Sequence, residues 1–78
     1  MKLEIITPDK KIFEGQVKSA KFPGAEGSFG VLDNHAAMIA TLKGGNVELV
    51  DENNATHSFP VNGGVVEVLK NSVIVLAE

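Results

Sequence analysis

The chain contains no cysteine, no tryptophan, no tyrosine and no arginine. Without cysteine it can neither staple itself with disulfides nor hold a metal through thiolates, which fits a reducing compartment. Without arginine it has no bidentate phosphate clamp and no arginine finger. All seven basic residues are lysines, scattered from Lys2 to Lys70 among ten carboxylates, and the net charge is −3. That distribution supplies no basic stripe for nucleic acid, so nucleic-acid binding is excluded. No apolar run approaches the roughly 18 residues that span a bilayer, and Met1 runs straight into KLEII without the tract of a signal peptide. The expectation is an intracellular protein that meets a membrane only through partners.

What is present is a β pattern. Seventy-eight residues make one small domain, residues 1–78, and with only four phenylalanines its core must be built from Val, Ile, Leu and Ala. Strand-like runs alternate with turn signals every 8 to 12 residues or so, and helix signals are poor. Strands are expected over Lys2–Thr7, Lys11–Phe13, Gln16–Phe22, Ser28–Leu32, Ala37–Leu42, Asn46–Asp51, Ala55–Phe59, Val65–Leu69 and Ser72–Ala77. Pro8-Asp9, Pro23-Gly24, Asp33-Asn34, Gly44-Gly45, Asn62-Gly63-Gly64 and Lys70-Asn71 turn the chain between them, and Pro60 marks a sheet edge or a break. The predicted fold is all-β, a small antiparallel β-sandwich or flattened barrel of about eight to ten short strands.

One strand is unusual. Ala36, Met38, Ala40 and Leu42 share one face and Ala37, Ile39 and Thr41 the other, so both faces are largely apolar. Only one can meet the core of a two-layer sandwich, which leaves the other to be covered by a loop or, as the reading favoured for so short a chain, by a protein partner.

Catalytic signatures are missing from the same region. Gly24, Gly27 and Gly30 fall as GxxGxxG, which is neither a dinucleotide fingerprint nor a phosphate loop. His35 and His57 lack metal-ligand spacing, so no metal and no cofactor is expected. Ser28, Asp33 and His35 lie close in sequence without a GxSxG elbow. Two lesser readings remain open: a small β-barrel enzyme with His35 as acid and base, requiring a concave pocket around it, and a binding module for some unrelated protein. His57, in the polar run Asn54–Ser58, reads as a solvated surface residue.

Three blocks, KLEIITPDKKIFEGQV, FPGAEGSFGVLDNHAAMIATLKGG and GGVVEVLKNSVIVLAE, resemble in order and spacing the N-terminal domain of the epsilon subunit of F-type ATP synthase. The resemblance implies a non-catalytic central-stalk subunit that binds the gamma subunit and the polar loops of the membrane c-ring, coupling proton or sodium flow to ATP synthesis. It implies a peripheral position on the cytoplasmic face of the bacterial inner membrane and no small-molecule substrate of its own. Glu26, Gly27 and Ser28 match the c-ring loop; Thr7, His35 and Ala40 match positions toward gamma. Together with the two-sided strand, the expected gamma contact is Thr7, His35, Ala36, Met38, Ala40 and Leu42. The family often has an acidic residue where Ser28 stands, Pro-Gly where Asp33-Asn34 stands and proline where Ala37 stands. The chain ends at Leu76-Ala77-Glu78, so the inhibitory C-terminal helices of many members are not expected in it.

Overall fold

A computed structural model describes residues Met1–Glu78. There is no helix; eight strands follow in order, β1 (Lys2–Ile6), β2 (Lys11–Phe22), β3 (Phe29–Leu32), β4 (Met38–Leu42), β5 (Gly45–Asp51), β6 (Thr56–Val61), β7 (Gly64–Leu69) and β8 (Ser72–Ala77). They form a curled sheet in the order β4-β7-β8-β1-β2-β5-β6, with β3 on the edge of β2. All pairs but one are antiparallel. The exception to the antiparallel expectation is β1 with β8, which run parallel in the register Leu3 to Val73 and Ile5 to Val75.

The long strand β2 builds the corner. Its first half pairs β1 through Phe13 and Ile5, and its second half pairs β3 and β5. Val17 faces inward, but so do Ala20 and Phe22, which an unbroken period of two would place on the opposite side. The parity changes because the β5 register skips Lys18: Val17 pairs Asp51 and Ser19 pairs Val50. This bulge inserts one residue, bends the strand and keeps one inner face turned toward the core through the corner. The sequence predicts two strands here, Lys11–Phe13 and Gln16–Phe22, where the structure has one running through Gly15.

Sixteen buried apolar residues make one core, with Leu3, Ile5, Phe22, Leu49, Val66 and Val75 among its most enclosed members. No polar or charged residue is buried. Pro60 lies in β6 at the sheet edge, where its missing N–H costs no ladder bond. On the far side the sheet is drawn closed between Pro23–Ala25 and the end of β4. Lys43 N–H donates to the Pro23 carbonyl at 2.9 Å and Ala25 N–H to the Thr41 carbonyl at 2.9 Å.

Candidate functional site

Register decides which face of β4 is free. β4 pairs β7 with Leu42 opposite Gly64 and Ala40 opposite Val66. Because Val66 and Val68 point into the core, Leu42, Ala40 and Met38 point there too. Leu42 is only 4% exposed, which corrects its expected place on the partner surface: it has no area to offer. Met38 and Ala40 are half-buried against the core, while Ala36 and Ala37 are exposed. The outward side carries Ile39, 71% exposed, and Thr41.

Those two residues continue across the sheet. Thr41 lies opposite Val65, Val65 opposite Leu76 and Leu76 beside Ile6. Leu76 is 55% exposed and Leu69, farther along β7, 51%. The outer face of β4-β7-β8 is therefore largely apolar where a solvated sheet would be polar, interrupted by the exposed Glu67, which lies opposite Ile39 and beside Ile74. Beyond it, on β1 and β2, the surface turns charged: Lys11 reaches Glu14 at 2.8 Å and Glu4 at 3.2 Å, and Lys2 reaches Glu14 at 3.2 Å. A mostly apolar face with one carboxylate, Glu67, inside it and charge along its border is compatible with the anatomy of a protein interface. Thr7 lies at this border. Its hydroxyl donates to the Lys10 carbonyl at 3.0 Å, closing the Pro8-Asp9 turn, and with Ile6, Pro8 and Leu76 it lines a shallow concavity.

The loop between β2 and β3 stands beside β4. Gly27 N–H donates to the Gly24 carbonyl at 3.0 Å, and Glu26, Gly27 and Ser28 are exposed at the tip. Gly24 is required by proximity, since a Cβ there would sit 2.9 Å from the Phe29 ring. Between this loop and β4 runs a cleft of about 450 Å³ lined by Gly24, Ala25, Glu26, Gly27, Phe29 and Met38–Thr41. Glu26 and Gly27 thus share one cleft with Met38 and Ala40, whereas Ser28 opens onto a groove over β3, β2 and β5.

His35 and Asp33 are not assembled for acid–base work. His35 Nδ1 donates to the Ala36 carbonyl at 2.7 Å, which ties the ring to the turn backbone. Asp33 accepts from the Met1 ammonium at 2.7 Å, and that hydrogen bond and charge hold its carboxyl below the usual range. No hydrogen bond joins His35 to Asp33 or Ser28, and His35 lines none of the concavities, so the pocket required by the enzyme reading is not found around it.

His57 corrects the surface reading. It is half-buried, stacked at 3° on Phe59 with Phe13 tilted beside it, and its Nε2–H donates to Asp51 at 2.8 Å. That bond, with those from the Ala55 and Asn53 amides, lowers the Asp51 carboxyl and locks the β5–β6 hairpin. The missed signal was register: His57 faces the same side as the buried Leu49 opposite it.

The chain is 45% identical over 78 residues to the ATP synthase epsilon chain of Nitratiruptor sp. and 47% identical over 78 residues to that of Wolinella succinogenes. In both cases the alignment covers all of this chain and 60% of the relative, so the chain spans less than two thirds of their length. Among solved structures, a chain of the Euglena gracilis mitochondrial ATP synthase superposes with a TM-score of 0.90 at 23% identity, covering 96% of this chain and 48% of the other. A chain of the Tetrahymena thermophila mitochondrial ATP synthase central stalk and c-ring gives 0.80 at 21%, covering 99% and 62%. At those identities the likeness establishes the sandwich fold. The family model for the β-sandwich domain of the ATP synthase delta/epsilon chain matches residues 1–78, and with the bacterial relatives it establishes that the chain belongs to that family.

Proposed function

We propose that this domain is a non-catalytic rotor element of an F-type ATP synthase, docking the gamma subunit on the outer face of β4-β7-β8 and touching the c-ring through Glu26, Gly27 and Ser28. It carries torque between the two while ATP is made on other subunits. Through these partners it is held at the cytoplasmic face of the bacterial inner membrane. The observation that carries the reading is the exposed strip of Ile39, Val65 and Leu76 on an otherwise well-packed sheet. Of the expected gamma contacts, Thr7 shares a concavity with Leu76 at the edge of this face, Met38 and Ala40 lie on the inward side of the same edge strand, and Ile39 and Leu76 take the place that buried Leu42 cannot fill.

The exposed tip Ala25–Ser28 supports the second contact by its geometry: Gly27 at positive φ and the Glu26 carboxylate offer polar contacts of the sort that two abutting loops make. The experiment is the affinity of purified gamma for the domain carrying Ile39→Glu or Leu76→Glu, with Lys18→Glu on the opposite sheet as control. Burying an unpaired carboxylate costs several kcal/mol. Both strip variants should therefore lose gamma by about a hundredfold or more while the control binds normally. Unchanged affinity of the strip variants would refute the docking face.

A further inference from the structure

The sheet has ends as well as faces, and the ends are treated differently. β6 carries Pro60, which blunts its edge, and β3 is only four residues long. Both are ordinary protections against unwanted strand pairing. β4, at the other end of the strand order, has neither proline nor lysine nor a bulge within Met38–Leu42.

The direction of its free hydrogen-bonding groups follows from two bonds on the side away from β7. Lys43 N–H donates to Pro23 and the Thr41 carbonyl accepts from Ala25. In a strand the N–H and C=O of one residue share a side, and successive residues alternate. Thr41 N–H and both backbone groups of Ile39 therefore also point away from β7. None of these three groups has a hydrogen-bond partner in the chain. They form a donor, an acceptor and a donor in the spacing of an extended backbone, and they open onto the cleft beside the GAEG loop.

We propose that this open edge of β4 takes an extended strand of the gamma subunit, which continues the β4-β7-β8 sheet into the partner. The choice of partner rests on the function proposed above. Main-chain pairing of this kind supplies affinity through the backbone, with side-chain rows adding selectivity. The added strand is short, because Pro23–Ala25 already occupy the edge beyond Thr41. Its outward side chain beside Ile39 is apolar, extending the exposed strip, and its inward side chain is small, since it enters next to half-buried Met38 and Ala40.

Amide hydrogen exchange of the intact domain, free and bound to gamma, tests this residue by residue. The Ile39 and Thr41 amides should slow by about tenfold or more on binding, while the Ala40 and Leu42 amides, already turned to β7, change little. A backbone-selective pair supports the reading: Ile39→Pro removes the outward donor without touching the β7 ladder, and Ile39→Ala removes the same side chain but keeps the donor. The proline variant should bind gamma about tenfold more weakly than the alanine variant. Gamma binding that leaves Ile39 and Thr41 unprotected overturns strand addition while the docking face stands, and absence of any gamma binding overturns both. If Ile39→Pro does not fold, exchange in the unaltered domain decides alone.

Discussion

Leu42 and Ile39 sit three residues apart on one apolar strand, and the structure assigns them opposite fates. Truncating Leu42 to alanine removes a side chain that is 4% exposed and leaves a cavity in the core cluster it belongs to, at a cost of about 2–5 kcal/mol. For a domain of this size each kcal/mol lowers the melting temperature by roughly 4–8 °C. Leu42→Ala should therefore melt some 10 °C or more below the parent, on the order of the lower bound of that product. Ile39→Ala removes a side chain that is 71% exposed and forfeits only strand preference, no more than about 1 kcal/mol. Urea titration followed by far-ultraviolet circular dichroism reads both, and unchanged slopes would show that stability rather than compactness has moved. Equal destabilisation by the two variants, or a neutral Leu42→Ala, would refute the register of β4 on β7 and with it the assignment of the outward face.

Gly64 holds φ at +142° and a Cβ there would strike the Leu76 carbonyl and lie 3.0 Å from the Ala77 Cα, so Gly64→Ala should cost at least about 2 kcal/mol by the same titration. Lys70 and Asn71 turn β7 into β8 with φ of 51° and 60°, a left-handed pair that disfavours lysine; Lys70→Asn should raise stability by about 0.5 kcal/mol or more, read as a higher melting temperature. Three carboxyls titrate below their ordinary values in the folded chain: Glu14 through the Lys11 and Lys2 hydrogen bonds, Asp33 through the Met1 ammonium and Asp51 through His57. Their contribution is complete above the unfolded carboxylate range near pH 4 and is lost as pH falls through the lowered folded values. The urea midpoint should thus be level from pH 7 to about 5 and decline below about 4, and Asp51→Asn should make that decline shallower.

Much of this fold is legible in the sequence because its turns are chemically marked. Asp33-Asn34, Glu52-Asn53-Asn54 and Lys70-Asn71 each contain an asparagine at positive φ, and the strands begin and end within about two residues of the runs between them. Pairing is less legible. β1 and β8 lie side by side in parallel from opposite ends of the chain, and nothing local in KLEII or SVIVLA encodes that choice. Gly15 reads as a break, yet the strand runs through it and bends at Lys18 instead. The two-sided apolar character of β4 is plain from its residues, but which side is covered depends on register with β7, where a shift of one residue exchanges the faces. His57 reads as solvated for the same reason: its aromatic neighbours Phe13 and Phe59 gather around it only in the folded sheet.

The absence of native cysteine makes the docking face directly measurable, because any introduced thiol is unique. Ile39→Cys, Leu76→Cys and, on the other sheet, Ser58→Cys each place one thiol at an exposed position. The decisive measurement is the rate at which each reacts with a maleimide in the free domain and in the complex with gamma. The account predicts that the thiols at positions 39 and 76 are shielded in the complex while that at 58 keeps its free rate. Full reactivity at 39 and 76 in a domain that has demonstrably bound gamma would contradict it.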